Sequence, residues 1–272
     1  MAEKIWFVTG ASSGFGRIWT EAALERGDKV VATARHIGPL KELTARFGDA
    51  VLVRTLDVTD REAVFAVVRE SAAHFGRLDV VVSNAGYSYT GAVEELDHDE
   101  ARANFDTNVF GTLSVVQAVL PLLRRQGGGH ILTVSSIGGV AGFPTGGAYG
   151  ASKFAVEAMS EALAGEVSGL GIKVTIIEPG SYVTGFRTAT RVATAMPEYD
   201  DVRTAIRASF DPSTTGDATA TAPAVLAVVD AERPPLRLLL GDWVLDRVKS
   251  VYAERVSTWE QWAPVSRAAQ RV

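Results

Sequence analysis

Tyr149 and Lys153 are the two residues whose types and spacing most directly offer chemistry in this chain. Around them Ala151, Ala155, Met159 and Leu163 recur every four residues, the spacing of a helix. A tyrosine and a lysine four apart on that helix lie one above the other on one face. The ammonium favours the phenolate and lowers the tyrosine's pKa, so the phenol can act as acid or base near neutral pH. Tyr-x-x-x-Lys is weak alone, because the same pair occurs on solvated helix faces. The elements that would position it carry the decision.

The first of these is Ile5-Trp6-Phe7-Val8, a continuous apolar run that reads as a strand buried on both faces of a parallel sheet. It enters Thr9-Gly10-Ala11-Ser12-Ser13-Gly14-Phe15-Gly16, and a helix continues to about Arg26. Gly10, Gly14 and Gly16 allow a tight turn and close backbone approach, while the helix N-terminus faces an anion. Ser12 and Ser13 add hydroxyls and Phe15 lies inside the same turn, so the segment reads as a dinucleotide site. The second strand, Val30–Ala34, ends at Arg35 with no acid to bind a ribose 2′-hydroxyl; an arginine there suits a 2′-phosphate. NADP(H) is therefore expected ahead of NAD(H), which stays possible.

A helix over about Leu40–Phe47 leads to a third strand at Val51–Thr55. Asp57 and Val58 come at the strand's end, where Asp57 meets an adenine edge or serves only the turn, and Thr59 or Asp60 caps the next helix. The fourth strand, Asp79–Val82, runs into Ser83-Asn84-Ala85-Gly86, small enough for a flat ring to approach. A long helix from about Asp99 to Arg125 presents Val109, Leu113, Val116 and Leu120 on one apolar face and also carries Asn108, an amide that needs a partner in a core. The fifth strand, His130–Ser136, ends in two serines at the sheet edge where ligands bind. The sixth, Lys173–Glu178, stops at Pro179-Gly180, and a seventh is expected at Arg237–Leu240 after a helix over Pro223–Ala231. Alternating strands and helices with a glycine-rich first turn specify an α/β fold, a doubly wound parallel seven-stranded sheet in a single domain over 1–272.

Two segments stand outside the rhythm. From Ser181 to about Ala222, prolines, glycines and aromatics suggest a lid or substrate-binding loop. Over about 242–272, Leu245, Val248, Tyr252, Val256 and Trp259 give an amphipathic helical tail that must bury its face on the domain, a neighbouring subunit or the pocket.

Composition excludes several alternatives. Net charge is −5 with signs interspersed, so no basic stripe argues for nucleic acid or an anionic membrane. No apolar run approaches a membrane span. The absence of cysteine removes disulfides and thiolate chemistry, and it fits a reducing cytoplasm, as does a start that passes from Met1-Ala2-Glu3-Lys4 into a strand without a signal peptide. His36, His74, His98 and His130 are scattered, read as surface or loop histidines, and no metal site is expected.

Taken together, Thr9-Gly10-x-x-x-Gly14-x-Gly16, Asn84-Ala85-Gly86, Asn108, Ser136 thirteen residues before Tyr149, Tyr149-x-x-x-Lys153, and Pro179-Gly180 with Thr184 soon after resemble the short-chain dehydrogenase/reductase family to about Gly241. The resemblance implies that Tyr149 is the general acid for carbonyl reduction, with Lys153 lowering its pKa and holding the nicotinamide ribose. It implies that Ser136 hydrogen-bonds the substrate oxygen and Asn108 anchors a relay water, with Thr184 and the backbone near Tyr182 at the carboxamide. It also implies a homodimer or homotetramer built through the helices bearing Asn108 and Tyr149. Ser83 departs from the family's usual asparagine, and the tail is longer than compact members need. A non-catalytic NADP(H) sensor is the alternative, although such proteins tend to lose the tyrosine or lysine. Epimerases space their glycines differently, and enoyl reductases place tyrosine and lysine further apart. Phe143, Tyr182 and Phe186 suggest a medium-sized apolar ketone or secondary alcohol as substrate.

Overall fold

The computed structural model describes residues 3–186 and 189–270; Met1 and Ala2 of the expected start, Arg187 and Thr188 of the expected loop, and Arg271 and Val272 of the tail lie outside them. The strands that the apolar runs mark form one parallel sheet: β1 (Ile5–Thr9), β2 (Lys29–Ala34), β3 (Val51–Thr55), β4 (Val80–Ser83), β5 (Gly129–Val134), β6 (Ile172–Pro179) and β7 (Arg237–Leu240). Their spatial order is β7-β6-β5-β4-β1-β2-β3, every pair parallel. The chain winds outward from β1 to β3, returns, and winds the other way from β4. The crevice at such a reversal lies beyond the carboxyl ends of β1 and β4.

Helices α1 (Gly14–Glu25), α2 (Lys41–Phe47), α3 (Arg61–Phe75), α4 (His98–Phe105), α5 (Gly111–Arg125), α6 (Gly147–Val167), α7 (Asp200–Ser209), α8 (Ala222–Asp230) and α9 (Val244–Ala268) complete the architecture. Two buried clusters cover the two sheet faces. One joins Trp6, Val8 and Val30 to Trp19, Leu43 and Val225. The other joins Phe7, Val31 and Val81 to Val64, Val115 and Leu163. Asp60 is the residue that caps α3, accepting from Ala63 N at 3.0 Å, whereas the Thr59 hydroxyl donates to Asp57.

Several expectations are corrected. The long helix is interrupted by a π-helical turn at Asp106–Phe110, which contains Asn108. Its extra residue rotates the rest of the helix, so Val115, Val116, Val119 and Leu123 face the core, while Val109, Leu113 and Leu120 are only half-buried. The stretch His98–Arg125 does reach the length and mean hydropathy of a membrane span, but 44% of its apolar window is buried against the domain, as in a core helix. The helix expected from the four-residue spacing is α6, and its buried face carries Ser152, Lys153, Val156, Glu157, Ser160 and Leu163. His130 is buried in β5 beside Thr175 Oγ1, 2.9 Å away, and burial pushes its pKa down to about 4. Among the described residues no group of three His, Asp or Glu side chains is arranged to hold a metal ion.

The segment after β6 is less irregular than its composition suggests. Tyr182–Val183 pairs with Gly216–Asp217, and Tyr89–Thr90 with Arg191–Val192. Arg203 and the Met196 N–H both bind the Glu95 carboxylate, which fastens α7 over the Val93–Glu95 turn. The tail helix α9 buries Val244 at its first turn. Its later apolar residues Tyr252, Val256 and Trp259 lie exposed within one chain, with the Arg255 guanidinium between Tyr252 and Phe154.

A buried aspartate aligns the strand entrances. Asp28 accepts from Trp6 Nε1 at 2.8 Å and Lys4 N at 3.0 Å and pairs with Arg26. Asp28→Ala leaves the indole N–H without an acceptor and Arg26 without its near partner. Stability should fall by about 3 kcal/mol; an unchanged urea midpoint would refute this role.

Candidate active site

The carboxyl ends of six strands converge on one cavity of about 440 Å³. The turn after β1 contributes Gly10, Ser12, Ser13, Gly14 and Phe15, and β2 contributes Ala34, Arg35 and His36. Asp57 and Val58 lie just past β3, Asn84, Ala85 and Gly86 past β4, and Ser136 past β5. Tyr149 and Lys153 reach in from α6, and Pro179, Gly180, Tyr182 and Thr184 from the end of β6. All the residues singled out in the sequence as cofactor-binding or catalytic therefore line this space except Gly16 and Asn108, which lie behind it.

Those two shape the wall. A Cβ on Gly16 would sit 2.4 Å from Gly10 O and 2.5 Å from Asn84 Nδ2, so only glycine lets α1 start this close to the turn. Gly10 and Gly14 have φ of +67° and +54°, a region that strains other residues. Ser13 occupies the N-cap of α1 with no side-chain capping bond, leaving its hydroxyl and the helix's first N–H groups available. Arg35 makes no ion pair among the described residues. A glycine cradle, an open helix N-terminus and an unpaired arginine at the second strand fit a dinucleotide with its pyrophosphate at α1.

Asn108 is buried in the π turn and supports the neighbouring loop. Its Nδ2 donates to Tyr87 O and Ser152 Oγ, both at 3.0 Å, and its Oδ1 accepts from Tyr87 N at 3.1 Å. Ser83, the family-atypical residue, bonds Thr112 Oγ1 at 3.2 Å, and Thr112 in turn donates to Asn108 O at 2.9 Å. A serine at that position thus ties the strand end to the π turn.

The tyrosine–lysine pair differs from its sequence-based expectation. Lys153 Nζ donates to Val134 O at 2.8 Å and lies 5.7 Å from the Tyr149 ring centroid. Burial pushes the Tyr149 phenol up to about 12, opposed only by its hydrogen bond with Ser136, and no lowering by Lys153 is found. Burial also brings Lys153 down to about 8, with Glu157 opposing. In this arrangement the phenol holds its proton at neutral pH. It is therefore an acid waiting for an acceptor, and Ser136, which accepts from Gly138 N at 3.1 Å, stands beside it.

Phe143 does not line the cavity; its ring lies under Arg247, 5.6 Å from the guanidinium. Tyr182 and Phe186 do line it, and Phe186 lies 5.7 Å from the Tyr149 ring. Sequence reasoning missed Tyr87, Thr107 and Arg191, which also line the cavity. Tyr87 directly succeeds the Asn84-Ala85-Gly86 signature, a signal that was available. Arg191 comes from the loop, pairs with Glu100 and covers the Tyr87 ring at 4.9 Å, and nothing local marks it.

Residues 4–194 match the family model described as short chain dehydrogenase. The chain belongs to the short-chain dehydrogenase family. It is 40% identical over 271 residues to oxidoreductase BOA17 of Botryotinia fuckeliana, covering 98% of this chain and 99% of that protein. A short-chain dehydrogenase from Streptomyces avermitilis superimposes with a TM-score of 0.93 at 38% identity, each chain covered completely. An alcohol dehydrogenase of Thermococcus sibiricus complexed with 5-hydroxy-NADP gives 0.75 at 25% identity, covering 88% of this chain and 97% of the other. A family member from Burkholderia phymatum in complex with NAD gives 0.79 at 25%, covering 91% and 92%. This short-chain dehydrogenase is an oxidoreductase, and two of these structural relatives are complexes with nicotinamide dinucleotides.

Gly16→Ala should force α1 away from the Gly10 turn and cost about 2 kcal/mol of stability. Dinucleotide affinity, read by fluorescence titration, should weaken about tenfold or more. Undiminished affinity would show that the turn is not the cradle.

Proposed function

We propose that this short-chain dehydrogenase is an NADP(H)-dependent carbonyl reductase and alcohol dehydrogenase acting on a medium-sized apolar substrate. The observation that carries the reading is the proton-bearing Tyr149 beside Ser136 and Lys153 at the inner wall of the dinucleotide-shaped cavity. A bound reduced nicotinamide supplies the hydride that reaches the carbonyl carbon. Tyr149 delivers the proton to the developing alkoxide, and Ser136 orients that oxygen and stabilises its charge. Lys153 lies close enough to ease loss of the phenolic proton once an acceptor is present, and its ammonium suits ribose hydroxyls. Asn108 acts through its hold on Tyr87 and Ser152, which places it as a positioning residue.

Gly10, Ser12, Ser13, Gly14 and Phe15 would hold the pyrophosphate, with Gly16 behind them. Asp57 and Val58 would meet the adenine; one Asp57 oxygen binds Thr59, and the other is left for an amino group. Asn84, Ala85 and Gly86 would floor the ribose, and Pro179, Gly180, Tyr182 and Thr184 would face the carboxamide. The unpaired Arg35 supports a 2′-phosphate, with NAD(H) the poorer ligand. Tyr182 and Phe186 support an apolar substrate under the 181–222 loop; Arg191, the arginine this loop adds to the cavity, is neutralised by Glu100. Self-association belongs to this reading, supported by the exposed Phe110, Phe154 and Trp259. So does a cytoplasmic location, which the cysteine-free composition suits.

NADPH oxidation across a panel of ketones, aldehydes and quinones tests the activity. Tyr149→Phe should lower kcat by roughly 10²–10⁴-fold while NADPH still binds. Turnover that survives intact would remove Tyr149 from the chemistry. Arg35→Asp should raise the KM for NADPH about tenfold or more and leave NADH little changed. Equal affinity for both dinucleotides in the unmodified protein would refute the role of Arg35.

A further inference from the structure

One turn along α6 from Lys153 is Glu157, which does not line the cavity yet is buried. Glu178, on β6, is buried as well. Arg237 of β7 serves both: its Nε lies 3.2 Å from Glu157 Oε2 and 3.3 Å from Glu178 Oε1, while its Nη2 bonds Glu161 at 2.8 Å. A single Nε–H cannot satisfy two carboxylates. Glu157 Oε1, Glu178 Oε1 and Ser135 Oγ are each buried without completing a hydrogen bond of good geometry. They nevertheless lie close enough for Ser135 and Glu178 both to act on the Glu157 carboxyl. A Cβ on Gly139 would meet Ser135 Oγ at 2.5 Å, Glu157 Cγ at 3.1 Å and the Lys153 backbone at 3.1 Å, so the three converge on one point.

Two buried carboxylates that must share the one Arg237 Nε–H are costly by burial and by like-charge repulsion. One proton resolves both costs, because the un-ionised carboxyl becomes a donor to its neighbour. We propose that Glu157 and Glu178 hold one proton between them, and that Glu157, one turn along the buried face of α6 from Lys153, is a positioning residue that sets the lysine's charge. The part concerning Lys153 rests on the reductase reading above. Burial pushes both acids upward, Glu178 to about 8. Glu157 is the group that opposes the fall of Lys153. The charged and titratable groups around the pair are Lys153 and Glu161 on α6 and Arg237 on β7, with Tyr149 one turn beyond the lysine.

Infrared spectroscopy of the cofactor-free protein in heavy water reads the shared proton without turnover. The carbonyl stretch of an un-ionised carboxyl should be present at neutral pH and vanish in either Glu157→Gln or Glu178→Gln. No such band in the unmodified protein would overturn the proposal. The pH profile of NADPH-dependent reduction reads the coupling. Lys153 carries its charge below its pKa, so reduction declines as pH rises through that value. Glu157→Gln removes the stabilising carboxylate and should move this alkaline limb down by about one pH unit. In Glu178→Gln the amide donates to Glu157 and keeps it ionised, so the limb should move up. A lower kcat with neither limb displaced, or displacement of both in one direction, would overturn the coupling and leave the acids a packing role. The infrared band without turnover of any carbonyl would uphold the shared proton and count against the reductase reading.

Discussion

The site depends on a junction between two strands that are neighbours in space and far apart in sequence. The Thr9 hydroxyl accepts from the backbone N–H groups of Asn84 and Ala85 at 3.0 and 3.1 Å, and Asn84 Nδ2 returns bonds to Thr9 O and Gly10 O at 2.9 and 3.2 Å. This exchange locks the end of β1 to the end of β4 at the point where the winding reverses. Each buried polar group is satisfied by the other strand's, so neither loop can move independently. The glycines of the first turn and the small residues after β4 then give the crevice its shape, because nothing bulkier fits on either side of that lock.

A second layer of constraint surrounds the tyrosine. Burial opposes charge on both Tyr149 and Lys153, the first held as a phenol and the second weakened as an ammonium. Reactivity in such a place comes from the groups that share the low-dielectric space. The cavity side offers Ser136, and the core side offers Glu157, Glu178 and Arg237. The two sides meet at α6, whose buried face carries more polar groups than a packing helix needs. The π turn opposite serves the same end by turning Asn108 inward, where its amide supports the Tyr87 loop and α6 together.

Much of this was legible along the chain. Apolar runs between turn residues located all seven strands, and glycine spacing located the tight turn into α1, because both patterns are local consequences of burial and backbone freedom. Boundaries moved by a residue or two where hydrogen bonds continue past the apolar run, as at Gly129 and Ile172. The π turn was not legible, since an inserted residue leaves no compositional trace, and it moved Val109 and Leu113 from the centre of the buried face to its half-buried edge. The burial of His130 and the polar face of α6 were missed for a related reason: a polar residue signals exposure until its partner is known.

The sequence by itself determined the α/β class, the strand order's starting point at a glycine-rich turn, and the set of residues able to perform proton transfer and bind a dinucleotide. These come from residue type and near-neighbour spacing. Tertiary structure alone decided which charges meet. It paired Glu157 with Glu178 across about twenty positions of chain and brought Arg237 to both. It also left Arg35 without an ion pair among the described residues and covered Tyr87 with Arg191. Electrostatic energies depend on distance and desolvation, and neither is set until the sheet has closed and water has left its faces.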